Sequence, residues 1–182
     1  MQLSAWFPTR DIGTDPLPAK RFDLIHVRWT LHWPPGRQTA IASMASALRP
    51  GGWLLAEEPD FVTFYHGPGP ELVTRVATKA VQLLETVSGG MDSRYGRRLP
   101  ADLLRHGLLD VQAEGRVHQI QGGTPRSGSA WLRLTIEKVA QPLLASDAVT
   151  QAQLDETFRL LEDPAFATYS PMTVACRGRR AD

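Results

Sequence analysis

Seven residues, FDLIHVR (22–28), form the first β-rich run, with apolar side chains at both parities, the pattern of a strand buried on both faces. The next segment, TAIASMASAL (39–48), places Ile41, Met44, Ala45 and Leu48 at helical spacing, and Arg49-Pro50-Gly51-Gly52 stops it. WLLAEEP (53–59) is then a second apolar strand that ends in two carboxylates. Strand, crossover helix and strand predict two parallel strands in a right-handed connection, so the fold class is α/β.

Downstream, 71–87 is amphipathic, with Leu72, Val76, Ala80, Leu83, Leu84 and Val87 on one stripe and Gly89-Gly90 at its end. A short helix over 100–106 opens on Pro100 and stops at Gly107. Residues 109–120 read as a strand. Helices over 128–144 and 151–162 follow, the second with Thr150 and Gln153 in capping-box spacing. The last strand, 166–177, contains Pro171, which cannot donate to a ladder and implies an edge or a bulge.

Composition narrows the function classes. The chain has 182 residues, enough for one domain, and its 20 basic and 19 acidic side chains nearly cancel. That balance speaks against nucleic acid or an anionic membrane as partner. Arg94, Arg97 and Arg98, and Arg177, Arg179 and Arg180, make only short basic clusters. One cysteine, Cys176, excludes an intrachain disulfide and points to a reducing compartment; no Cys/His grouping has metal-site spacing. The first residues do not read as a signal peptide, and no apolar run is long enough to span a membrane, so a cytoplasmic protein is expected.

RDIGTDPLPAKRFDLIHVRWTLHW followed by ALRPGGWLLAEEPDF resembles the region around the fourth and fifth strands of class I S-adenosylmethionine-dependent methyltransferases. YGRRLPADLLRHGLLDVQAEGRV and the final strand resemble the C-terminal part of the small-molecule type, so the likeness runs from about residue 4 to 178. It implies a partial Rossmann-like sheet, parallel strands with an antiparallel C-terminal hairpin and flanking helices. It also implies one domain in three parts: a cofactor-core remnant (1–60), a helical acceptor-side insertion (61–107) and the C-terminal strands and helices (108–182).

The resemblance implies S-adenosylmethionine as cofactor and a small-molecule acceptor. Asp11 would receive the adenine amino group and Ile12 pack on the ring, while Arg28 and Trp29 begin the segment beneath the methionine part. Asp11 also reads as a turn residue before Gly13. His32 would stand near the transferred methyl as a general base, or cap the next helix through Pro34-Pro35. Glu57 or Glu58 would line the acceptor pocket or be solvated, and Tyr65, His66, Arg94 and Tyr95 are substrate-site candidates.

The family's glycine-rich loop and ribose-binding acid do not occur in this sequence: none of the glycine pairs follows a strand and opens a helix. The expectation is a cut inside the fold that leaves the FDLIHVR edge unpaired. That edge predicts a homo-oligomer or a partner that completes it. Three readings stay open: a methyltransferase, a non-catalytic module that binds or oligomerises, and another Rossmann-like enzyme such as a reductase.

Overall fold

The computed structural model describes residues 11–15, 17–123 and 128–182. The sequence-predicted lead-in at 4–10 lies outside them. Strand β1 (Phe22–Arg28), helix α1 (Arg37–Ala47) and strand β2 (Leu48–Asp60) form the expected parallel crossover unit. The second strand is longer than its apolar stretch, because Leu48 to Gly52 also extend. Two further strands, β3 (Leu109–Arg116) and β6 (Met172–Arg179), complete a mixed sheet of order β1-β2-β6-β3, with β6 antiparallel to both neighbours. The fold is α/β with a parallel pair, an antiparallel C-terminal pair and flanking helices.

The two long strands predicted near the C-terminal end each divide. Residues 119–121 leave β3 to become β4 (Gln119–Gln121), which pairs with β5 (Ala167–Tyr169) in a separate two-stranded sheet. Pro171 stands between β5 and β6, where the chain passes from one sheet to the other, so the missing N–H falls at a break in the ladder.

Alternation along β2 sorts the sheet's faces. Leu54, Ala56 and Glu58 lie opposite Gly178, Cys176 and Val174 on the covered face, against the core that α1 and helix α4 (Leu99–Arg105) help to build. Trp53, Leu55 and Glu57 lie opposite Arg179, Arg177 and Ala175 on the other face, where the Arg177 guanidinium sits 5.6 Å from the Trp53 ring centre. That second face carries no helix among the described residues, which changes the reading of β1. Its two-sided apolar pattern predicts full burial, but the strand has one neighbour and one covered face, and Leu24 is 60% exposed.

A second core is helical. Helix α2 (Val62–Tyr65) leads into α3 (Glu71–Ser88), which packs on α5 (Gly128–Ala145) and α6 (Gln151–Glu162). The face of α3 is rotated from the predicted stripe. Val73, Val76, Ala77, Ala80 and Val81 are buried, Leu72, Leu83 and Leu84 are partly buried, and Val87 is 66% exposed. Two overlapping stripes satisfy the same periodicity, and alanines at 77 and 80 let the partner helices approach on that side. Thr150 and Gln153 form the predicted capping box.

Two outcomes test this packing. Ile136→Ala, at a fully buried position, is expected to destabilise the chain by about 2–5 kcal/mol in urea titration, whereas Val87→Ala should stay within about 0.5 kcal/mol. Burial pushes the Cys176 thiol up to about 11. A raised thiol pKa favours the neutral form in the folded state, so stability is retained below the ordinary thiol range and falls as pH rises toward 11. Cys176 should resist a thiol reagent at mildly alkaline pH until urea unfolds the chain.

Candidate active site

In an open α/β sheet ligands collect beyond the carboxyl ends of the parallel strands. The chain segment leaving β1 is held there by one side chain from β2. Glu58, 0% exposed near the end of β2, accepts at Oε1 from the backbone N–H of Thr30 (3.1 Å) and Leu31 (2.8 Å). Its Oε2 accepts from the backbone N–H of His32 (3.2 Å) and lies 2.9 Å from His32 Nδ1. Four donors on one carboxylate fit the ionised form, which is an acceptor only.

The carbonyls of the same turn point to a cation. Arg37 Nε donates to Leu31 O (2.9 Å), and Arg37 Nη2 donates to His32 O and to Gly90 O. The guanidinium also lies over the Tyr95 ring, 5.0 Å from its centre. The turn after α3 closes on this loop: Gly89 takes φ +66°, and a Cβ on Gly90 would meet Pro35 and the Trp33 carbonyl at 2.6–2.7 Å. The glycine pair that ends α3 in the sequence is therefore also a close-packing surface for the His32 loop.

Beside this loop lies a cavity of about 350 Å³. Trp29, Phe61, Phe64, Met91, Trp131 and Ile136 supply most of its apolar wall; His32, Thr135 and Lys138 supply polar atoms, and among the described residues no carboxylate lines it. Trp29 reaches the cavity through a left-handed backbone (φ 50°), unusual for a bulky residue. Its N–H donates to Glu57 O (2.8 Å), its indole N–H donates to Thr173 Oγ1 (3.3 Å), and its ring meets Trp131 and His32 edge-on. His32 is 2% exposed and turns one ring edge to Glu58, and Nε2 has no hydrogen-bond partner among the described residues.

The predicted site residues separate into groups. Trp29 and His32 meet at the cavity. Glu57 does not line it: its Oε2 sits 2.7 Å from His26 Nε2 on the opposite sheet face. Tyr65 packs against the helical core and donates to Ser93 Oγ (3.1 Å), and burial raises its pKa. His66 and Arg94 are exposed in the loops flanking α3. Tyr95 is buried in the sheet-side core, where its hydroxyl donates to Asp102 Oδ2 (2.9 Å); burial first, then that carboxylate, raises its pKa far above the ordinary range. Arg28 ends β1, opposite Glu57.

Asp11 and Ile12 lie across the start of α1, where Gly13 rests against Gly36. Asp11 Oδ1 accepts from Gly13 N (2.8 Å), the turn role read from the sequence, and leaves Oδ2 without a partner among the described residues. Phe61, Phe64, Met91 and Trp131 escaped the sequence reading. Aromatic density was the available signal, but the same residues at those spacings also describe a core.

Residues 8–56 match the family model for a methyltransferase domain. Methyltransferase str2 of Strobilurus tenacellus is 32% identical over 88 residues, which is 46% of this chain and 30% of that protein. Over those stretches the chain is similar to methyltransferases. Methyltransferase str3 of the same organism is 35% identical over 52 residues, 29% of this chain and 19% of that protein, so the chain spans less than a third of either curated relative. Among solved structures, a Bacillus halodurans protein described as a methyltransferase superposes with a TM-score of 0.54 at 14% identity, over 95% of this chain and 70% of its own. A Haemonchus contortus phosphoethanolamine N-methyltransferase bound to S-adenosylhomocysteine gives 0.50 at 15%, over 94% and 36%. At those identities the structural likeness speaks for the fold alone.

The cavity's extent is testable without any cofactor. Thr135→Trp, on a half-buried helical position of the wall, should fill it and weaken binding of naphthalene at least tenfold, read by tryptophan fluorescence, with the far-ultraviolet circular dichroism unchanged.

Proposed function

We propose that this chain serves S-adenosylmethionine-dependent transfer of a methyl group to a small-molecule acceptor held in the cavity beside His32. The observation that carries the reading is an apolar cavity at the carboxyl ends of β1 and β2, walled by the segment that leaves β2 and by α5. When bound, S-adenosylmethionine supplies a methyl group already activated on a sulfonium, so the protein's share is orientation, exclusion of water and removal of the acceptor's proton.

Asp11, Ile12 and Arg28 are the residues proposed to hold the cofactor. The donor set fits in one respect: the exposed Asp11 carboxylate keeps Oδ2 for an exocyclic amine, and Ile12 presents apolar surface next to it. Trp29 is assigned to the acceptor side, because its ring lines the cavity. Residues 61–107 fit an acceptor-side segment, since Phe61, Phe64, Ala80 and Met91 all contribute to that wall. Tyr65, His66 and Arg94 remain candidates for its outer rim. The lone buried cysteine agrees with a reducing, cytoplasmic setting. Among the described residues no helix is long and apolar enough to cross a membrane.

Calorimetry with S-adenosylmethionine and S-adenosylhomocysteine is the direct test. Micromolar binding that Asp11→Ala weakens about tenfold is expected; no detectable binding of either would favour a non-catalytic module. That second reading has an observation of its own, the single-neighbour β1 strand with Leu24 60% exposed. Association through that strand, with a second copy or with a partner, predicts a species larger than 20.1 kDa in light scattering, which Leu24→Lys returns to the monomer.

A further inference from the structure

We propose that the molecule this cavity takes is an aromatic carboxylate, a flat apolar body with one anionic end, and that Lys138 receives that end. Its role as methyl acceptor rests on the methyl-transfer reading; its fit to the wall does not.

Helix α5 sets the geometry. It lends Trp131, Thr135 and Lys138 to the wall, at helical steps that keep all three on one side of the helix. Lys138 follows Trp131 by about two turns, so it stands about 10 Å farther along the axis. The Trp131 ring meets Trp29 at 5.9 Å between centres, and Trp29 meets His32 at 6.1 Å. The cavity therefore has an aromatic end and, down the same helix, a cation. Lys138 lines the wall yet is exposed, the placement of a side chain whose methylene stem covers apolar surface while its ammonium stays in water.

The charge of Lys138 is unspent. Every arginine on α3, α5 and α6 has a carboxylate partner: Arg75 with Glu71, Arg133 with Glu137 and Glu162, and Arg159 with Glu156. Lys138 has none among the described residues, and one turn away on its helix stand Leu134, Thr135, Gln141 and Pro142, none of them acidic. The other polar groups near the wall are already engaged. Thr135 Oγ1 donates to Trp131 O (2.9 Å), the Trp29 indole N–H donates to Thr173 Oγ1 (3.3 Å), and Glu58 is taken by its four donors. The competing occupant is a cationic amine, which the indole faces would attract. It would meet Lys138 as a like charge and find no lining carboxylate among the described residues. A carboxylate instead meets an ammonium beside an apolar wall, where the attraction is stronger than in open water. A volume of about 350 Å³ suits a body of about two rings.

The test uses the full 182-residue chain without cofactor. Biphenyl-4-carboxylate, its isomer biphenyl-2-carboxylate, the neutral biphenyl-4-carboxamide and the biphenyl-4-ylmethylammonium ion are titrated by calorimetry. The 4-carboxylate, with its charge at one end, is expected to bind about fivefold more tightly than the carboxamide or the 2-isomer, and added salt should shrink that preference. Lys138→Met, with its fold checked by circular dichroism, should cut the preference over the carboxamide to less than about twofold. Lys138→Glu should turn it toward the ammonium ion, and Lys138→Arg should keep it. Lys79→Met removes the same charge from an exposed position of α3 that does not line the cavity, and should leave the preference intact. That comparison separates a local ion pair from an effect of net charge. Equal binding of the 4-carboxylate and the carboxamide, no binding of either, tightest binding of the ammonium ion, or a preference that survives Lys138→Met would each overturn the proposal. A carboxylate preference without S-adenosylmethionine binding would overturn the methyl-transfer reading and leave the Lys138 assignment standing; cofactor binding without the preference would do the reverse.

Discussion

A buried carboxylate with four donors around it organises this end of the molecule. Glu58 arrives on β2, but every donor it satisfies belongs to the turn that leaves β1. It therefore ties two adjacent parallel strands together at the level where their backbone ladder stops. An ionised carboxylate at 0% exposure is costly unless it is fully paired, and three backbone N–H groups plus an imidazole supply that pairing. Arg37 completes the arrangement from the other side by collecting the carbonyls of the same turn. The turn's N–H groups face an anion and its carbonyls face a cation, which leaves the loop little freedom to rearrange without orphaning a polar group. The His32 ring is fixed as a consequence of this pairing.

That constraint reaches the second core through short steps. The Gly90 carbonyl shares Arg37 with the His32 loop, and the Asp92 N–H donates to His32 O at 2.8 Å. From Met91 the chain contributes to the cavity wall, and α3, just before it, contributes Ala77, Ala80 and Val81. The helical layer is thus registered against the sheet by hydrogen bonds at one loop, and by aromatic contacts among Trp29, Phe61 and Trp131 around it. Most of the cavity's apolar wall, including Phe61, Phe64, Met91 and Ile136, belongs to the packed helical core, which favours a wall of fixed shape.

The crossover unit was legible in the sequence because its signals are local: an apolar run, a helical stripe, an Arg-Pro-Gly-Gly stop and a second apolar run. The capping box at Thr150 was legible for the same reason. What could not be read was which face of an element is covered. Glu57 and Glu58 are adjacent, and strand alternation places one on each side of the sheet, but only the position of α1 and α4 says which side is interior. The α3 stripe was misplaced for a related reason, since 3.6-residue periodicity accepts neighbouring stripes until the partner helices choose one. Tyr95 looked like an acceptor-site residue and is a core residue because of Asp102, seven positions on, which receives its hydroxyl.

The same argument separates what the site owes to fold from what it owes to chemistry. A carboxylate near the end of β2 would stabilise the β1 loop whatever residue stood at 32, because three of its four donors are backbone groups. A serine or an alanine there would still leave the turn paired. The imidazole adds the fourth contact to Glu58, and it occupies a buried position, where a polar ring is expected to have each nitrogen partnered. One nitrogen is partnered by Glu58; the other, among the described residues, has none and belongs to a ring on the cavity wall. A half-satisfied buried imidazole is poor structural material and a good receptor for a hydroxyl. The identity of residue 32 is therefore better explained by what enters the cavity than by what holds the loop.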